Sequence, residues 1–113
     1  MRSALQFQAV VAADQQISSV DVFCNPFMKT AIFTYRLGQP ATVQIQLFRN
    51  AGRRMVKVRD LVGLMGNPGG RNGINKVLWD GMSGAGQKVP FGRYTAVFWV
   101  DGTRQTSQIL VSF

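Results

Sequence analysis

The residues able to do chemistry in this chain are few. It has 113 residues with no histidine and no glutamate, and its acids are five aspartates, at positions 14, 21, 60, 80 and 101. Acid–base catalysis needs a titratable group held within reach of the reacting proton. These carboxylates are scattered and fall mostly at turns, and nothing pairs two of them. A histidine-dependent triad is impossible. Cys24 is the only cysteine. It cannot form an intrachain disulfide, has no histidine to activate it, and reads as a small buried apolar side chain. Zinc is disfavoured by the same counts. A calcium site would have to draw on Asp80, Ser83 and backbone carbonyls, whereas a plain turn explains both residues. We therefore expect no enzyme, no metal and no cofactor.

The most suggestive stretch is WDGMSGAGQKVPFGRY, Trp79 to Tyr94. Glycine-rich loops cradle phosphates when a strand precedes them, a helix follows, and a Lys-Ser/Thr pair closes the motif. Here Lys88 is followed by Val89 and Pro90, and the next segment has the period of a strand. The glycines at 81, 84, 86 and 92 fit neither phosphate-binding fingerprint. The stretch reads as a connection: Asp80-Gly81 opens a turn, and Pro90 to Gly92 makes another that delivers Tyr94 into the next strand.

The elements around it have a period of two. ATVQIQLF places Val43, Ile45 and Leu47 on one face and Thr42, Gln44 and Gln46 on the other, as a half-buried strand requires. TAIFTYRL separates Phe33, Tyr35 and Leu37 from Ile32, Thr34 and Arg36. RYTAVFWV aligns Tyr94, Ala96, Phe98 and Val100. Further strands are expected from Ser19, with Val20, Val22 and Cys24 on one face, over Met55–Val62, over Ile74–Trp79, and in the return to the C-terminus with Ile109, Val111 and Phe113 inward. Asn25-Pro26 stops a strand. Asn50-Ala51-Gly52 is expected to turn the chain, and Asp101-Gly102 suits a mirror-image hairpin turn. Leu64–Asn72 reads as a long, exposed, mobile loop. No helical window of useful length is present, and no run of 18 apolar residues could span a bilayer as a helix.

About seven short antiparallel strands with frequent turns predict an all-β, immunoglobulin/fibronectin III-like β-sandwich over residues 17–113, with residues 1–16 as a loose arm or an edge strand at Leu5 to Val11. A small closed barrel is the architectural alternative. Hydrophobic residues make up 46% of the chain, enough for a core without staples.

Thirteen Lys and Arg give a net charge of +8. Such a balance favours polyanions or acidic partners. Arg49, Arg53, Arg54, Lys57, Arg59 and Arg71 form a candidate polyanion or partner surface. Phe23, Phe48 and Trp99 fall on outward faces, where they could stack bases or meet a protein. A basic strand edge also discourages sheet-to-sheet aggregation, which is the plainer reading.

The turn motif carries a resemblance. Trp79, Asp80, Gly81, Gly86, Pro90, Gly92 and Tyr94 resemble the Trp-Asp-Gly turn, glycine, and Pro-x-Gly before a tyrosine strand found in the Ig-like domain of the bacterial flagellar hook-capping protein and related secreted modules. Asn25-Pro26-Phe27, Tyr35, Leu37, and the strand-turn of Val43, Ile45, Leu47 and Gly52 extend it over roughly residues 18–113. Asn50 stands where an acidic turn residue is expected, residues 64–72 look like an insertion, and the positive charge is no signature of the family. The resemblance implies a non-enzymatic scaffold for hook assembly, outside the cytoplasm, with hook subunits as partners. The alternatives are a C-terminal accessory or sorting domain of a secreted or surface protein, docking on its parent chain, and a basic β-domain that binds nucleic acid or another polyanion.

Overall fold

The computed structural model describes residues 17–105 and 109–113. The expected arm or edge strand within residues 1–16 lies outside them. The described residues form eight strands and no helix: β1 (Ile17–Asn25), β2 (Thr30–Leu37), β3 (Val43–Ala51), β4 (Arg54–Gly63), β5 (Gly73–Trp79), β6 (Arg93–Val100), β7 (Thr103–Arg104) and β8 (Ile109–Ser112). They make two antiparallel sheets, one ordered β1-β2-β5 and the other β4-β3-β6-β7, with β8 also on β6. No ladder joins the sheets among the described strands, so the molecule is a β-sandwich and the barrel alternative is set aside.

The alternation in the sequence becomes the two inner faces. Ala31, Phe33, Tyr35, Leu37 and Trp79 from the smaller sheet meet Val43, Ile45, Leu47, Tyr94, Ala96, Phe98 and Val100 from the larger. Phe98 takes both Phe33 and Tyr35 edge-on, at centroid distances of 5.8 and 5.6 Å. At one end Trp79, Tyr94 and Phe113 form a second aromatic group, with centroids 5.3 to 5.7 Å apart. Such pairs add to the area they bury.

Four local expectations are corrected. β1 begins at Ile17 and carries a bulge between Ser18 and Asp21, where Ser19 takes a φ of 55°. The extra residue puts Ile17 and Val20 on the same buried side, three apart, which breaks the period of two. Cys24 is only half-buried, near the end of β1, the edge strand of its sheet, and packs against the core from there. The hairpin expected to turn at residues 50–52 turns at Gly52-Arg53, because Ala51 still pairs with Arg54. The return after Asp101-Gly102 is broken in two. β7 pairs with the end of β6 and β8 with its start. Asp101 and Gly102 have φ values of 48° and 82°, the mirror-image turn that the pair was expected to make.

The 64–72 loop departs furthest from expectation. Its middle, Gly69-Gly70, is buried. The backbone of Gly69 lies against Gly63 so closely that a Cβ on Gly63 would collide with it. The buried Asn75 side chain accepts from the amides of Gly69 (3.1 Å) and Arg71 (3.0 Å), and donates to the carbonyls of Arg71 (2.8 Å) and Gly73 (3.2 Å). The Tyr35 hydroxyl donates to the Gly69 carbonyl at 2.6 Å. Gly70 accepts from the amides of Ala41 and Gly66. A loop without a core of its own is thus pinned by two inward polar side chains of the smaller sheet. Burial in this low-dielectric site pushes the Tyr35 hydroxyl above the ordinary tyrosine range.

Candidate functional site: the Trp79–Tyr94 corner and the basic hairpin

The glycine-rich connection leaves β5 at Trp79 and enters β6 at Arg93. Trp79 is fully buried, and its indole Nε1 donates to the Met82 carbonyl at 3.0 Å. Asp80 Oδ1 accepts from the Met82 amide at 3.0 Å, an Asx-type turn. Gly81 has a φ of +76°, and a Cβ there would overlap the Lys29 carbonyl of the β1–β2 turn. Only glycine serves both the angle and the approach. At the other end the Tyr94 hydroxyl donates to the Pro90 carbonyl, four residues upstream. Tyr94 itself is packed on Trp79. Burial raises its hydroxyl's pKa, and the neighbouring Arg49 acts in the opposite direction.

An anion cradle works through free backbone amides. In this loop most of them are engaged. Ser83 donates to Gln87 O, Gly84 to Val58 O, Gly86 to Ser83 O and Val89 to Gly81 O. Ala85 and Gln87 both donate to Ser83 Oγ. A depression of about 280 Å³ lies beside the loop, lined by Arg59, Asp80, Met82, Ser83, Gly84 and Gly86. Its one cation, Arg59, reaches Asp80 at 2.7 Å and is neutralised there. The oxygens of Asp80 and Ser83 that a calcium site would draw on serve as turn acceptors. Among the described residues no three His, Cys, Asp or Glu side chains gather as a metal site.

The six basic residues do not form one surface. Arg53 and Arg54 sit at the tip of the β3–β4 hairpin and Arg49 two pairs back from it, all three exposed, with no ion pair among the described residues. Lys57 pairs with Asp60 at 2.8 Å and Arg59 with Asp80. Arg71 sits beside Gly69, at the Gly63 end of β4. The ten residues of β4 separate that end from Arg54 by about 30 Å at the usual strand rise. The outward aromatics are divided as well. Phe23 stands on the outer face of the smaller sheet and is 69% exposed. Phe48 and Trp99 are half-buried on the outer face of the larger, where Trp99 Nε1 donates to Gln46 Oε1 at 2.7 Å. No stacking platform unites the three.

Sequence reasoning missed the apolar end beside the corner. Phe27 is 96% exposed, Met28 and Phe91 are also exposed, and Lys29 Nζ lies 4.6 Å from the Phe91 ring centroid. The signal was in the sequence: two Pro-Phe pairs, Pro26-Phe27 and Pro90-Phe91, each at a turn. What it lacked was the fold that brings two turns more than sixty residues apart to one place. A scan of the chain against family models finds no match, and a search of curated proteins finds none either.

Proposed function

We propose that this chain is a non-enzymatic docking module with immunoglobulin/fibronectin III-like topology, acting as a scaffold in flagellar hook assembly. The observation that carries the reading is the corner. The residues on which the resemblance rests interlock: Trp79 Nε1 and Asp80 Oδ1 close on Met82, Gly81 seats on Lys29, and the Tyr94 hydroxyl closes on Pro90. A tyrosine that bonds back to the backbone just upstream, near the start of the strand that follows the crossover between sheets, is a hallmark of such sandwiches. The order β1-β2-β5 against β4-β3-β6-β7 supports the same topology. The module then works through exposed strands and turns outside the cytoplasm, with hook subunits as its partner.

The test is direct. Purified hook subunits are allowed to polymerise with and without the chain, followed by light scattering and electron microscopy. Faster growth, or the chain seated at filament ends, is expected. Unchanged polymerisation with no association would remove the hook setting and leave the accessory domain of a secreted or surface protein. The polyanion reading is favoured by one observation, the three unpaired arginines at and near the hairpin tip. Nanomolar DNA binding that persists at physiological salt with base preference would put it first.

A further inference from the structure

The end of the molecule built from the β1–β2 turn and the second half of the corner has a composition that neither reading above uses. Phe27, Met28 and Phe91 project there, exposed by 96%, 64% and 68%. Contiguous exposed apolar surface on a small protein marks a contact. The next row inward on the outer face of the smaller sheet is apolar too, since Phe23 pairs with Ile32 and Ile32 with Leu78, all three exposed. Lys29 and Lys88 stand at the base of this end. Of the acids near them, Asp80 is occupied by Arg59, and Asp21 lies one row further along the sheet, where Thr34 separates it from Lys76.

The polar atoms decide what kind of partner fits. In a bilayer a backbone donor or acceptor without an internal partner costs several kcal/mol, whereas a protein partner can supply the missing bond. Here several backbone groups of the projecting turns are already served from within. Asn25 Oδ1 accepts from the amides of Phe27 (3.1 Å) and Met28 (3.2 Å). Lys88 Nζ donates to the carbonyls of Met28 (2.7 Å), Asp80 (2.7 Å) and Lys29 (3.4 Å). Lys29 Nζ donates to Val89 O at 2.7 Å, and the Tyr94 hydroxyl to Pro90 O. The outward side chains are Phe and Met, and the cations lie one layer behind them. That is the arrangement of an interfacial membrane contact, with apolar groups below the headgroups and ammonium groups level with the phosphates.

We propose that this end docks on an anionic lipid bilayer, with Phe27, Met28 and Phe91 entering the headgroup–acyl boundary. The contact is peripheral and crosses nothing, and it does not depend on the hook reading. The net charge of +8 draws the molecule to an anionic leaflet. The test uses the full chain and sedimentable vesicles of phosphatidylcholine, with and without about one-third phosphatidylglycerol. Binding to the anionic vesicles is expected to exceed binding to the neutral ones by about tenfold or more. F27S/F91S alters two exposed side chains, and is expected to lower the binding at least about tenfold. R53S/R54S, at the hairpin tip, is expected to lower it by less than about threefold. In an F27W variant the new indole should shift to the blue on binding and be quenched by brominated acyl chains. Equal binding to both vesicle types, loss with R53S/R54S but not F27S/F91S, or an indole at position 27 that stays unquenched while the protein is bound would each overturn the proposal. So would no vesicle binding at all, including the case in which the same end instead binds a protein.

Discussion

Asn75→Ala should uncouple the 64–72 loop from the sandwich. The side chain is 3% exposed and makes four hydrogen bonds, two accepted and two donated. The Gly69 amide lies in a buried segment and would be left without its acceptor. That alone costs about 1–3 kcal/mol, the desolvation penalty of an unmet buried donor. The three bonds at Arg71 and Gly73 lie nearer solvent, and water can replace them. Their loss contributes about 0.5 kcal/mol each at the low end of a net hydrogen bond. The sum is about 3 kcal/mol, a large share of the stability of an ordinary domain. At about 4 °C per kcal/mol for a chain of this size, the melting temperature should fall by about 10–15 °C. Urea denaturation followed by circular dichroism measures the free energy, and hydrogen exchange locates it: the amides of Gly69 and Arg71 should lose protection before those of β3 and β6. A loss below about 1 kcal/mol with unchanged exchange at these two amides would refute the claim that Asn75 holds the loop.

Gly81→Ala should destabilise by more than the ~1 kcal/mol of a simple positive-φ glycine, because the new methyl group meets the Lys29 carbonyl as well; Gly86→Ala, where a Cβ meets nothing, is the measured control. Alkaline unfolding should begin once the unfolded chain's tyrosines ionise. The folded-state pKa of Tyr35 is raised, so its contribution is complete below pH about 10 and is lost as pH climbs past that value, at up to about 1.4 kcal/mol per pH unit. Tyr35→Phe should flatten part of that slope while costing about 1–2 kcal/mol at neutral pH for the unmet Gly69 carbonyl, both read from denaturant midpoints. Breaking the partly exposed Arg59–Asp80 pair with Arg59→Met should change stability by about 1 kcal/mol or less, since a solvent-screened ion pair contributes little.

The period of two in residues 30–37, 43–48 and 93–100 was enough to assign the inner faces, because every other side chain in a half-buried strand must leave water. Asp101-Gly102 was equally legible, since the positive φ values it needs are ones that few other pairs accept. The bulge at Ser18–Asp21 was not, because a serine with positive φ leaves no mark in an apolar pattern. Loop 64–72 read as free chain because its glycines and Asn67-Pro68 look like any exposed turn. What anchors it are Tyr35 and Asn75, polar groups on strands whose sequence says nothing of what lies across from them. The basic stretch from Arg49 to Arg59 misled in the opposite way. Adjacency in sequence suggested one surface, but the hairpin spread it over a tip, a face and an ion pair with a distant turn.

Phe113 stacks on Trp79 and Tyr94 and exchanges backbone hydrogen bonds with Gly92, so the aromatic group under the corner includes a residue made long after the strands it joins. A chain emerging from a ribosome or threading a narrow conduit, one end first, would have its earlier strands waiting with an open seam. The aromatic group under the corner closes only when residues 109–113 are through, so this end of the sandwich is the last to be sealed.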